Sequence, residues 1–553
     1  MIVPIHFHPP DRFVLVYPSE LSAKNDSPTY TGAVCRIRVE GTREPQRTME
    51  GKERKNVATP SYQNWFERIF PGLPYLWRGP SMLLQNYSRG VPLALNTPET
   101  SYIHISSEQH IRELKDAPES QLSLHALSKD MFNPRYTMNG LEVHENMIAN
   151  GIIHTRAIQV GLRSNLPEFY EPLTRIITNC FDESFNEAKT PGQEWAHLSV
   201  FSVAKNIITA TNAFVFFGPE LASNPVFLKA ALDYPEDLFF MAETLRLVPS
   251  LLHPCLTPIL KRYQRGLKIM VEHITPLVEE RLHQERIPSP YGKANREKPR
   301  DCIQFFIDSN SREGAWTADK IVQVLLGVWF AGVHQPAISI VYALEDLCQN
   351  PEYVELLRGE LSSTYQDTKD METKVDTASF VENKPFLDAF LKESSRLHPS
   401  DSISVRRKVL EPFTFQDGTH LLAGDVVCLP SQAIMLDGEI YPDSTHFWPW
   451  RFLQADSEDI SAKRLRCTSR FTAADSTYPL WGLGRHSCPG RFYASFVIKL
   501  VIIAYIATGY DIQLHLQNTC QSFQFRSSII PKANSQLLFR KRELKNDIGK
   551  TSA

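Results

Sequence analysis

Between residues 480 and 492 the chain reads LWGLGRHSCPGRF, the stretch that constrains its fold most tightly. Gly482, Gly484 and Gly490 surround a single cysteine, Cys488, with His486 two positions before it and Pro489 directly after. Glycine adopts backbone conformations closed to other residues and lets the chain approach a flat ligand closely. The run that follows, YASFVIKLVIIAYIATGY, is mostly apolar and predicts a long buried helix. A helix starting just past the thiol brings positive dipole to the sulfur, and Pro489 suits a place near its first turn.

These features together suit a cysteine thiolate that ligates haem iron, where sulfur pushes electron density onto the metal. Two plainer readings fit the loop by itself. A lone cysteine before a helix is commonly a buried core residue, and a Gly-x-Gly pair opens many loops. A dinucleotide loop needs a third glycine, and position 487 is a serine.

The chain has 553 residues, 42% hydrophobic and 22% charged, with a formal net charge of -3. It can bury a large core, and its charge balance does not suggest a nucleic-acid partner. Nine widely spaced cysteines without a CxxC pair argue against a disulfide framework and a zinc ribbon. The N-terminus carries prolines and charges where a signal peptide needs an apolar run. The apolar runs at 321–333 and 496–507 are short for a bilayer and contain Gln323 and Lys499, so they predict buried helices; no transmembrane segment is expected.

Residues 1–65 read as an atypical polar segment, exposed or disordered over 39–61, and residues 66–553 as one catalytic domain. VPLALNTPETSYIHISS predicts two short strands around a turn, then a helix in EQHIRELKDA. Helical patterning dominates from about 140 to 285. Another helix starts at a capping Thr317, and PFLDAFLKESSRLHP predicts one more. FTFQDGTHLLAGDVVCLP predicts a small antiparallel β unit with a DG turn. The fold class is mainly α with a minor β part.

W-G-L-G-R-H-S-C-P-G resembles the cytochrome P-450 signature F-G-x-G-x-[RH]-x-C-x-G, with Trp481 in place of the usual phenylalanine. By this resemblance Cys488 matches the axial haem ligand and His486 the residue contacting a haem propionate. K-E-S-S-R-L-H-P is similar to the family's second motif. Its Glu393 and Arg396 lie at i, i+3 on one helix face, and Pro399 ends that helix. FWPWRF resembles F-x-P-E-R-F. Arg451 there matches the arginine that joins the Glu–Arg pair in a buried network, although Trp450 replaces the acid. In SVRRKVL the propionate-reaching base falls on Arg406 or Arg407.

The long helix departs from the pattern. Where the family reads [AG]-G-x-[DE]-T, this chain has AGVHQP: Ala331 and Gly332 match, while His334 and Gln335 replace the acid and the proton-delivering threonine. Pro336 removes a backbone N–H and frees the Gly332 carbonyl. The expectation is a kink that admits water, held by His334, Gln335 and that carbonyl.

The resemblance spans roughly residues 70 to 545 and implies a cytochrome P-450 fold similar to fungal secondary-metabolism members. It implies haem b, O2, and NADPH electrons delivered through a separate reductase. The implied reaction inserts one oxygen atom into a small but bulky apolar substrate of terpenoid, meroterpenoid or alkaloid type. Phe330, Ala331 and the Ser402–Ile403–Ser404 turn match substrate contacts, and Lys392, Arg485, Arg491 and Lys499 are candidate docking charges for the reductase. Family members often sit on the cytoplasmic face of the endoplasmic reticulum membrane through an N-terminal anchor; none is visible here, so the expectation is either a start that differs from that pattern or peripheral contact. Loss of the threonine leaves an alternative, a haem-thiolate isomerase or dehydratase that rearranges a peroxide without a reductase.

Overall fold

The computed structural model describes residues 54–60, 70–143, 153–286, 298–310, 316–369, 377–455, 465–507, 510–515, 522–533 and 535–542. Most of the 1–65 segment falls outside these residues. Residues 54–60, inside the stretch expected to be exposed or disordered, are mostly exposed and also pair with the sheet. Ala58 bridges Leu93, and Arg54 ion-pairs with Asp425 at 2.6 Å.

The helices that frame the site are α1 (Tyr75–Asn86), α2 (Leu124–Phe132), α3 (Ile153–Arg156), α4 (Leu166–Ala188), α5 (Val200–Phe217) and α6 (Pro225–Arg246). They continue with α7 (His253–Leu260), α8 (Arg265–Arg286), α9 (Ala318–Gln349), α10 (Pro385–Leu397) and α11 (Arg491–Ala507). The expected Thr317 cap is present, its hydroxyl accepting the Lys320 N–H at 3.3 Å. The antiparallel unit expected over FTFQDGTHLLAGDVVCLP forms in its first part, pairing Phe413 with Leu421 and Thr414 with His420 across the DG turn, whereas Val426–Leu429 joins a larger sheet.

Helices α4, α5, α9 and α11 pack in a ring, α4 on α5, α5 on α9, α9 on α11 and α11 on α4. Their apolar faces make the main core, with Ile177, Ile207, Val333, Ala337 and Val501 among its fully buried members. Among the described residues two helices, α5 and α9, are long and apolar enough to cross a membrane, and both bury most of their apolar side chains in this core.

A five-stranded sheet stands to one side, in the order β1 (Leu93–Asn96), β2 (Ser101–His104), β8 (Val426–Leu429), β5 (Ser404–Val409), β3 (Leu122–Ser123). β1 and β2 are the predicted pair, with Asn96 opposite Ser101. Short pairs join β6 (Phe413–Thr414) to β7 (His420–Leu421) and β9 (Leu453–Ala455) to β10 (Leu465–Cys467), and β14 (Gln536–Lys541) lies between β11 (Tyr510–Leu514) and β4 (Ala196–Ser199). The hairpin of β12 (Ser522–Phe525) and β13 (Ser528–Pro531) packs through β12 on α1.

Several prolines sit inside the described helices, and three of them, Pro80, Pro235 and Pro336, each release a carbonyl four residues earlier that a neighbouring element can reach. Every one of these carbonyls is recaptured from a neighbouring element. Pro80 frees Leu76, which accepts the Arg526 N–H at 2.8 Å. Pro235 frees Ala231, which accepts the buried Trp329 indole N–H at 2.9 Å and so ties α6 to α9. Pro336 frees Gly332, which accepts the Asn212 side-chain amide at 2.9 Å. A buried carbonyl left without a donor costs about 1–3 kcal/mol, so these captures make the three prolines tolerable.

Candidate functional site

Cys488 lies at the base of a cavity of about 720 Å³, walled by α2, α3, α9, β5 and the start of α11. Its loop turns where glycine is required. Gly482 and Gly484 have φ of 73° and 60°, and a Cβ on Gly482 would meet the His486 carbonyl at 3.2 Å. Both glycines shape the loop without lining the cavity, whereas Gly490 lines it.

The loop is tied to the core through a chain of short bonds. The Cys488 N–H donates to the Trp481 carbonyl at 2.7 Å, and the Trp481 indole donates to the Phe471 carbonyl at 2.6 Å. The Phe471 N–H donates to Asp388 at 2.6 Å, and Asp388 pairs with Lys499 at 2.5 Å. Trp481, in place of phenylalanine, therefore adds an anchor that the phenyl ring lacks.

Lys499 and Lys392 are 3% and 1% exposed, which corrects their reading as docking charges. Lys499 is consumed by Asp388, and Lys392 donates to Ser469 at 2.5 Å, its amine pushed down by burial to about 8. Arg485 is exposed and donates to the Ala117 carbonyl at 2.8 Å. Arg491 is half-buried and donates to the Cys488 carbonyl at 2.9 Å. Arg163, on the surface, lies 3.9 Å from the Phe492 ring and acts electrostatically on Arg491.

Burial pushes the Cys488 thiol up, while the Gly490 and Arg491 N–H groups and the Arg491 charge pull it back. A buried sulfur with N–H groups aimed at it ionises when a cation binds it, and haem iron is such a cation.

The second requirement of a haem is a place for its carboxylates. His125 and His154 line the cavity. His486 lies 2.8 Å from Glu119, with Arg407 acting on both. Burial pushes Arg407 down to about 10, and His154 and His486 to about 4. This desolvated basic cluster faces one carboxylate, Glu119, and suits further anionic groups. The residues fit a haem.

The two adjacent arginines diverge. β5 carries an irregularity between Ser404 and Arg407, and Val405 there has φ of 49°, a strained setting for a β-branched side chain. Arg406 turns into an ion pair with Asp401, both lining the cavity. Arg407 turns toward Glu119 and His486, beside the basic cluster.

Glu393, Arg396 and Arg451 form one network beneath the loop. Glu393 accepts two bonds from Arg396, at 2.7 and 2.8 Å, one from Arg451 at 3.0 Å and one from the Trp448 N–H at 2.9 Å. Arg396 also donates to the Met435 and Ser444 carbonyls, both at 2.6 Å. Glu393 and Arg396 are fully buried. Trp450, in the acid's place, packs its ring 5.2 Å from Phe386.

The family model described as Cytochrome P450 matches residues 153–539. The chain belongs to the cytochrome P450 family. Among curated relatives, it is 27% identical over 442 residues to Cytochrome P450 monooxygenase 151 of Postia placenta, covering 79% of this chain and 84% of that one. It is 26% identical over 506 residues to Cytochrome P450 monooxygenase paxP of Penicillium paxilli, covering 89% and 92%. A solved structure, retinoic acid bound cyanobacterial CYP120A1, superposes with a TM-score of 0.64 at 17% identity, covering 89% of this chain and all of that one. This P450 is an oxidoreductase of the monooxygenase family, with fungal relatives and the family's haem.

On α9 of the P450, Ala331 and Gln335 lie one turn apart and both line the cavity, as do Gly332 and Pro336. His334 does not. Its Nε2 lies 3.6 Å from Glu236 of α6, which also pairs with Lys205 of α5 at 2.7 Å. Burial would raise the Glu236 carboxyl, but His334 and Lys205 win and hold it down at about 2. Of the three groups expected to hold a water, Gln335 and Gly332 line the cavity, while His334 faces another helix and the Gly332 carbonyl already accepts from Asn212.

Phe330, Ile403 and Ser404 line the cavity, with Phe330 edge-on to Phe132 at 5.1 Å, while Ser402 is buried behind it. Asn212, Tyr493, His125, His154 and Glu119 are site residues that sequence reasoning missed. All but Tyr493, which stands one residue past the signature loop, come from elements without a local motif.

Proposed function

We propose that this P450 inserts one oxygen atom from O2 into a bulky apolar molecule, with NADPH electrons delivered by a separate reductase. The observation that carries the reading is the large cavity above Cys488, whose walls are mostly apolar, with polar groups set among them that include Gln335, Asp401, Ser404 and Arg406. Such a lining suits a terpenoid, meroterpenoid or alkaloid scaffold that carries some oxygen functionality.

Cys488 would hold the haem iron, and His125, His154, His486 and Arg407 would hold its carboxylates. When bound, the haem supplies oxygen activation. Gln335 takes the position of the family's threonine, and its amide both donates and accepts hydrogen bonds, so it can hold a water for proton delivery. Arg163, Arg485 and Arg491 form the basic face that an acidic reductase would meet.

Gln335→Leu keeps a similar length and removes the amide. Haem and substrate binding should survive, while product per NADPH falls by roughly fivefold or more, with the lost electrons appearing as hydrogen peroxide. Equal coupling in the variant and the parent would remove Gln335 from proton delivery. A parent that consumes no NADPH with a reductase present, yet converts a peroxide substrate, would establish the isomerase instead.

We also propose peripheral attachment to the cytoplasmic face of the endoplasmic reticulum membrane. Leu247, Leu251, Leu252, Ile259 and Tyr263 are exposed along the connection from α6 through α7, Leu251 at 86%. Trp77 is exposed on α1, which adjoins the end of α6 through β12, where Phe525 meets Phe239. Exposed apolar groups of this extent suit a lipid surface. The double variant Leu251→Asp, Leu252→Asp should lose most flotation with phosphatidylcholine vesicles; undiminished flotation would place the contact elsewhere.

A further inference from the structure

We propose that Asn212 is a positioning residue for α9, clamping the Gly332 carbonyl that Pro336 releases and joining it, through Tyr493, to the helix that follows the Cys488 loop. Asn212 is a polar side chain in the apolar run of α5, only 2% exposed. Its Nδ2 donates to the Gly332 carbonyl at 2.9 Å, and its Oδ1 accepts from the Tyr493 hydroxyl at 2.8 Å. All three residues line the cavity.

The direction of this chain is fixed by chemistry. A backbone carbonyl only accepts, so the amide nitrogen must face Gly332. The amide oxygen then faces Tyr493, whose phenol must donate. Burial holds that phenol well above its usual range, so it stays a donor.

The clamp does what water was expected to do at the proline. A protein amide satisfies the freed carbonyl, which leaves the helix groove at Gly332 without need of a water. Proton supply beside α9 is then confined to the turn bearing Gln335, one residue from the proline. Because α5, α9 and α11 meet at this one amide, the oxygen-side helix also keeps a fixed height over the thiol loop. This functional half rests on the monooxygenase reading; the bonding half stands without it.

The test is a cycle with the proline. Pro336→Ala returns a backbone N–H to Gly332, so the carbonyl no longer needs Asn212. Asn212→Leu, of similar volume, should lower product per NADPH roughly fivefold in the parent and less than about twofold in the Pro336→Ala background. The melting temperature should show the same non-additivity, independent of catalysis. Tyr493→Phe, a milder change, should give an intermediate loss of coupling and leave the carbon monoxide spectrum of the thiolate intact. Equal melting-temperature losses for Asn212→Leu in both backgrounds would overturn the link to the proline. Unchanged coupling in both Asn212→Leu and Tyr493→Phe would overturn the positioning role. A parent lacking NADPH-dependent product would defeat the monooxygenase reading, while the melting-temperature cycle would still decide the clamp.

Discussion

Replacing Cys488 with serine should abolish the strongly red-shifted Soret band that the reduced, haem-loaded protein gives with carbon monoxide. That band would come from a haem whose iron the Cys488 thiolate holds, and a serine hydroxyl does not ionise readily enough to stand in for it. The fold should change little. Serine is close to cysteine in volume, and the backbone bond from residue 488 to the Trp481 carbonyl does not involve the side chain. The chain of bonds through Phe471, Asp388 and Lys499 likewise anchors the loop independently of the sulfur. Far-ultraviolet circular dichroism should therefore match the parent while the spectroscopic signature is lost entirely. A normal band in Cys488→Ser would mean that another group ligates the iron.

The residues legible in the sequence are those whose chemistry is set by near neighbours. Two positive-φ glycines, a thiol and a helix start lie within thirteen positions, so the loop announces itself. Glu393 and Arg396 share a helix turn, and Arg451 stands in its own short motif. What escaped was contact across the chain. Asn212 reaches Gly332 over 120 positions and Tyr493 over 281, and nothing local in α5 marks it. The same ignorance of distant partners misplaced Lys392 and Lys499, since charge in a sequence reads as surface until Ser469 and Asp388 come into view. His334 misled for a geometric reason. It is one residue from Gln335, and one residue on a helix turns about 100°, enough to move a side chain from the cavity to α6. The opposite directions that Arg406 and Arg407 take depend on a bulge at Val405 that no propensity predicts for a β-branched residue.

Glu393→Ala should yield protein with little or no haem. The substitution leaves the Arg396 guanidinium fully buried and Arg451 nearly so, with their shared carboxylate gone. Breaking a buried pair in this way typically costs about 3–5 kcal/mol, against roughly 5–15 kcal/mol for the stability of a whole domain. The loss falls beside the loop that presents Cys488, because α10 carries both Glu393 and the Asp388 that holds Phe471 and Lys499. Arg396→Ala and Arg451→Ala remove parts of one unit, so their effects on melting temperature should be less than additive in the double variant. Arg396→Lys should not restore the parent. A lysine has one nitrogen, and Arg396 uses three to reach Glu393, Met435 and Ser444 in different directions. The measurement is the ratio of Soret to protein absorbance after purification with haem supplied, read beside the melting temperature. Full haem incorporation in Glu393→Ala would show that the loop keeps its shape without the network, leaving the Trp481 and Asp388 bonds to support it.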